Sequence, residues 1–117
     1  MQIHLFDKDQ QSELFPAGKT VFQAGDKGES MFVVIEGEVD IIIHNETVES
    51  VGPGGVFGEM ALVEERPRIA TAVIKTDARL VAIDRKRFMN VVQHNPFFAL
   101  QLMTVMAGRL RRMDEKL

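Results

Sequence analysis

The sequence predicts a mainly β fold closed by helices, and three observations lead there. Short β-branched runs separated by turn residues fill the chain up to about Ile83, and six of the nine glycines (18, 25, 28, 37, 52 and 54) fall between those runs. From Asp84 the apolar period changes to that of a helix. Many short strands at close spacing are the pattern of an antiparallel sandwich or roll. The 117 residues, 45% hydrophobic and 26% charged, suit one domain spanning 1–117. A chain of this length buries roughly two-thirds of its unfolded surface and needs no disulfide or metal to hold a core. With no cysteine, a disulfide scaffold, a thiolate zinc site and a cysteine nucleophile are excluded. The formal charge of −3 points away from a nucleic-acid binder, which usually shows a basic excess.

The first ten residues carry His4, Asp7, Lys8 and Asp9, so no secretory apolar segment starts there. The most apolar stretch, 96–108, contains Gln101 and falls well short of the ~20 residues a membrane helix needs. Both observations point to a cytoplasmic protein. Strands are expected at 20–22, 31–35, 39–43, 48–51, 70–74 and 80–83, within a β region of about 14–83, and Gly37 is placed for a tight hairpin. Asp84 is an N-cap for a helix over about 84–94. Asn95-Pro96 ends it and opens a second, over about 96–116. Along that second helix Ala99, Met103, Met106, Leu110, Met113 and Leu117 follow at spacings of four, three, four, three and four, a heptad seam that either packs wholly into the core or packs on its own domain at the start and pairs with a second copy of the chain toward the end. Phe98, Leu102 and Val105, on the other face, are expected to meet the β region.

One segment is unlike a generic loop, running from Gly52-Pro53-Gly54-Gly55 through Glu59-Met60-Ala61-Leu62 to Pro67-Arg68-Ile69-Ala70-Thr71. Glycine at 58 and alanine at 61 let a ligand approach the backbone, and amides at a helix start favour an anion. Arg68, after Pro67, offers a planar guanidinium able to grip a phosphate at two points. Glu59 is an acceptor for sugar hydroxyls. Taken singly, these residues read better as a first-turn helix acid, its ion-pair partner and ordinary turns; together they describe a pocket for a sugar phosphate.

At these residues the chain resembles the cyclic nucleotide-binding domains of the catabolite activator protein, the protein kinase A regulatory subunits and the cyclic nucleotide-gated channels. Phe57-Gly58-Glu59-Met60-Ala61-Leu62, a short spacer and Pro67-Arg68-Ile69-Ala70-Thr71 stand in the pattern of their phosphate-binding cassette. Phe15-Pro16-Ala17-Gly18, Gly25-Asp26-Lys27-Gly28-Glu29-Ser30, Glu36-Gly37-Glu38 and Asp84-Arg85 with Phe88 extend the likeness over about 14–95. The resemblance implies an eight-stranded antiparallel β-roll, a jelly-roll-like double-stranded β-helix, followed by two C-terminal helices. It implies a sensor that binds a cyclic nucleotide without turning it over. Arg68 would pair with the cyclic phosphate, Glu59 would accept from the ribose 2′-hydroxyl, and the Gly58 and Ala61 amides would complete the cradle. Phe57, Met60, Ile69, Ala70 and Thr71 complete the expected ligand-binding set. In this family a hydroxyl-bearing residue directly after the arginine favours guanine, so Ile69 leans toward cyclic AMP over cyclic GMP. Family base caps come from the last helix, where Val105, Met106 and Arg109 are candidates.

The expected partners are the nucleotide, a second copy through Met103, Met106, Leu110, Met113 and Leu117, and an effector protein lying outside this sequence. No cofactor, metal, nucleic acid or membrane span is expected. Two rival readings remain from other classes. A cupin-type enzyme needs clustered histidines, whereas His4, His44 and His94 are scattered singly. A ligand-free interaction or dimerisation module on the same fold would not need both Glu59 and Arg68.

Overall fold

Two fourteen-residue strands form the spine of the molecule in a computed structural model that describes residues 2–9 and 11–115. They are β3 (Ser30–Ile43) and β6 (Thr71–Asp84), paired antiparallel from Ser30 opposite Asp84 to Ile42 opposite Thr71. Against β6 lie β1 (Glu13–Phe15) and β2 (Thr20–Phe22); against β3 lie β4 (Glu46–Val51) and β5 (Val56–Phe57). Each long strand changes its outer neighbour along its length, so the sheet rolls over instead of lying flat. Register shifts in the β3–β6 pairing between Val34 and Val39 mark the bend. Counting each long strand as two halves about that bend turns six strand segments into the eight of the β-roll. A 3-10 helix, Glu59–Leu62, follows β5, and α1 (Arg85–His94) and α2 (Phe97–Glu115) follow β6.

The tight hairpin expected at Gly37 is not there: the runs 31–35 and 39–43 belong to the single strand β3. Gly37 has φ +84°, and a β-carbon on it would sit 2.3 Å from the Asp77 carbonyl oxygen, so glycine serves a bulge where β3 and β6 approach closely. The hairpin turn lies at His44-Asn45 instead. Both residues have positive φ (52° and 64°) and join β3 to β4 through two residues, as a type I′ turn requires.

The two long strands carry most of the buried strand residues, whereas β1, β2 and β4 are largely exposed or half-buried. Met31, Val33, Val81 and Ile83 face a core shared with the helices, while Val34, Val39, Ile74 and Leu80 fill the roll with Phe57 and Val51. Asp84 caps α1 by accepting from the Arg87 amide at 2.8 Å. Phe98 and Leu102 on α2 enter the helix-side core, and Val105 packs at its edge. Phe98 meets Phe6 edge-on at 5.5 Å and Phe88 at 5.7 Å. The N-terminal residues Ile3 and Phe6 are buried in the same core, and the Ile3 amide donates to the Gly54 carbonyl at 2.6 Å. Segment 2–9 thus forms the floor under α2, tied to α1 by the Arg87–Asp9 ion pair.

Candidate functional site

The segment between β5 and β6 forms one wall of a cavity of about 600 Å³. Its other walls come from β2, β3, β4 and the C-terminal half of α2. Gly58 enters the 3-10 helix at φ +76°, a left-handed conformation that a side chain disfavours. A β-carbon there would stand 2.8 Å from an Arg68 Nη. The short helix follows because Glu59-Met60-Ala61-Leu62 are good helix formers with no breaker among them. Pro67 fixes the chain as it extends back toward β6, and the Arg68 amide donates to Asp26 while its carbonyl accepts from Gly25.

Arg68 is held on all sides. One Nη donates to the Gly58 carbonyl at 2.9 Å and the other to the Ser30 carbonyl at 2.6 Å, and the guanidinium lies 4.0 Å over the Phe22 ring. Its Nε is buried and has no partner among the described residues. Burial lowers the pKa of this guanidinium, and the charges of Asp26 and Glu59 work in the opposite direction. Gly28 is what lets the arginine lie there, since a β-carbon on it would fall 2.1 Å from Nε. The site therefore holds a cation with unused donor capacity, a combination suited to an anion.

Glu59 is 8% exposed and belongs to the same wall. Its carboxylate pairs with Arg109 of α2, which also donates from Nε and one Nη to the two oxygens of Glu49 at 3.0 and 3.1 Å and to the Val56 carbonyl. Burial acts against the charge on Arg109, but the hydrogen bonds and negative charge of Glu49 and Glu59 outweigh it and raise its pKa. The rest of the cavity is largely apolar, with Ile41, Ile43, Val48, Met106, Leu110 and Met113 at the end between the roll and α2. An anion-binding end, an acceptor beside it and an apolar end together fit a nucleotide's phosphate, sugar and base.

A family model described as a cyclic nucleotide-binding domain matches residues 12–95. The chain belongs to that family. The domain is 35% identical over 112 residues to a cyclic AMP receptor protein of Thermus thermophilus, an alignment covering 92% of this chain and 52% of the relative. It superposes on the crystal structure of the Thermus thermophilus catabolite activator protein with a TM-score of 0.82 at 35% identity, covering 91% of this chain and 52% of that one. A structure from work on a cyclic-GMP-dependent signalling pathway that regulates bacterial phytopathogenesis matches with a TM-score of 0.78 at 26% identity, covering 93% and 92%. The domain spans about half the length of the two Thermus thermophilus relatives.

Within this cyclic nucleotide-binding domain the expected residues divide. Phe57, Gly58, Glu59, Met60, Ala61, Arg68, Ile69 and Ala70 all line the cavity, with Ile69 76% exposed at its mouth. Thr71 does not reach the lining, and its hydroxyl oxygen accepts from the Ala24 amide at 3.0 Å. The Ala61 amide donates to the Gly58 carbonyl at 3.3 Å inside the 3-10 turn, so it is not a free donor to a ligand. Arg66 is exposed and pairs with Glu64 at 3.2 Å, balancing local charge. Of the candidate caps, Met106 and Arg109 line the cavity and Val105 packs toward the core. Sequence reading missed Glu49 and Phe22 as site residues, because neither sits in the contiguous motif. The three histidines lie apart, His4 beside Asp7, His44 in the β3–β4 turn and His94 on the Asn90 carbonyl at the end of α1. Among the described residues, no helix is long and apolar enough to cross a membrane.

Of the heptad positions, Met106, Leu110 and Met113 line the cavity, while Leu110 and Met113 also remain 64% and 65% exposed. Met103 is exposed, and Leu117 lies outside the described residues. The seam therefore serves as an outer wall of the cavity with an uncovered flank.

Proposed function

We propose that this domain binds cyclic AMP in preference to cyclic GMP and reports occupancy through its C-terminal helices. The observation that carries the reading is the placement of Arg68, whose buried Nε has no partner among the described residues, and buried Glu59 on one wall of one cavity. In this reading Arg68 takes the cyclic phosphate and Glu59 accepts from the ribose 2′-hydroxyl, with Gly58 allowing close approach. The purine lies at the apolar end, where guanine's additional donors would go unpaired. Ile69, without a hydroxyl, and the likeness to a cyclic AMP receptor protein support the same preference. The nucleotide is sensed and released unchanged, without a cofactor, in a cytoplasmic setting.

Two polar ties join the cassette to the helices and supply the coupling. Arg85 of α1 donates twice to the Leu62 carbonyl, at 3.2 and 3.0 Å, so movement of the 3-10 helix pulls on α1. Arg109 of α2 holds Glu59, so a nucleotide hydroxyl and α2 contend for the same carboxylate. The exposed flank of the α2 seam then pairs with a second copy, and an effector outside this sequence reads the change.

Calorimetry with each nucleotide tests the reading. Binding of cyclic AMP that is at least tenfold tighter than cyclic GMP is expected; no heat with either at millimolar ligand returns the chain to a ligand-free interaction module, and hydrolysis of added nucleotide would make it an enzyme. For the seam, sedimentation of Leu110→Lys is expected to show a lower association state than the wild type, and an unchanged state would leave the stripe a cavity wall alone.

A further inference from the structure

We propose that Glu49 is a positioning residue that sets how strongly Arg109 competes with a bound nucleotide for Glu59. This rests on the nucleotide reading above and adds to it a residue that contributes no contact of its own to the cavity lining.

The two halves of α2 are attached differently. Phe98 and Leu102 anchor the first half in the core, whereas the second half turns Met106, Leu110 and Met113 to the cavity and is joined to the roll by charge. Both of its arginines near the roll converge on Glu49, Arg109 at two points and Arg112 at 3.5 Å. A bulge in β4 makes this possible. Ile41 pairs with Glu49 and Ile42 with Thr47, leaving Val48 as the extra residue. Strict alternation would send neighbouring side chains to opposite faces; the bulge lets Val48 line the cavity while Glu49 reaches Arg109.

The guanidinium is a rigid fork, so two-point attachment to Glu49 fixes where its remaining Nη lies, and that Nη pairs with Glu59. Arg109 is thus a largely buried cation shared between two carboxylates. When a ribose hydroxyl engages Glu59, Glu49 keeps Arg109 neutralised, so the hydroxyl displaces one bond without stranding a charge. Without the charge on Glu49, Glu59 becomes the main counter-ion of Arg109 in the site, and the hydroxyl must contend with a tighter ion pair.

Calorimetric affinities of the full chain for cyclic AMP and its 2′-deoxy analogue, measured on the wild type and on Glu49→Gln, test this. The analogue cannot compete for Glu59 through a hydroxyl. The wild type is expected to prefer cyclic AMP, and Glu49→Gln to shrink that preference by about fivefold or more, since each charge-assisted contact is roughly twice as strong as a neutral one. In an Arg109→Met background the same change is expected to leave the ratio unaltered. An equal loss for both ligands, or an unchanged ratio, overturns the proposal and leaves Glu49 a structural anchor of α2. A wild type that binds neither nucleotide overturns the nucleotide reading, and this proposal with it.

Discussion

Replacing Arg68 with alanine is expected to weaken cyclic AMP binding by about 2–5 kcal/mol, roughly 30- to 5,000-fold in Kd, while the fold persists. The expected loss is large because the anion would leave water for a partly closed cavity with this guanidinium as its counter-charge. Removing the arginine also frees the Gly58 and Ser30 carbonyls that now accept from it, so some loosening of the cassette accompanies the loss of charge. Gly28→Ala separates the two effects. A β-carbon at 28 falls on the Arg68 Nε and Cζ, at 2.1 and 2.3 Å, so the guanidinium must leave its seat although the charge remains. If position matters as well as charge, Gly28→Ala loses affinity by at least tenfold with little change in melting temperature. Wild-type affinity in Arg68→Ala would show that the phosphate lies elsewhere in the cavity.

Phe98→Ala is expected to destabilise the fold by about 3–5 kcal/mol and to lower Tm by roughly 10–20 °C. Phe98 is fully buried and packs on Phe6 and Phe88, so it joins the N-terminal segment, α1 and α2 in one cluster. Its loss leaves a cavity lined from three directions, which cannot collapse without moving a helix or segment 2–9. Thermal unfolding followed by circular dichroism checks this, and a loss below about 1 kcal/mol would show that α2 is held chiefly by its charged second half instead.

The cassette was legible because its parts are contiguous. Gly58, Glu59 and Arg68 lie within eleven residues of one another, so the requirements for close approach, acceptor and cation are written side by side. Helix α1 was legible for a similar local reason, since Asp84 caps the third amide after it. Gly37 misled because a positive φ serves a hairpin and a bulge equally well. The neighbouring strand decides between them, and here β6 brings Asp77 and Ala78 against the Gly37 backbone. The hairpin at His44-Asn45 had a signal in Asn45, a residue that tolerates left-handed backbone, but no glycine to draw attention to it.

By itself, the sequence determined an antiparallel sandwich or roll with two trailing helices, a phosphate-type cassette at 57–71 and the residue types for anion and hydroxyl recognition; the resemblance carried by that cassette narrowed the choice to a β-roll. Those properties follow from local rules: short β-branched runs broken by turn residues, cap chemistry, and the spacing of a motif along one segment. Only the tertiary structure decided that Arg109 closes on Glu59, that Glu49 shares it, and that the heptad stripe walls the cavity. Glu49 and Arg109 stand sixty residues apart, and a single bulge in β4 decides whether the carboxylate faces α2. An apolar stripe on a helix records only that one face avoids water; what covers that face is settled by the packing of the rest of the chain.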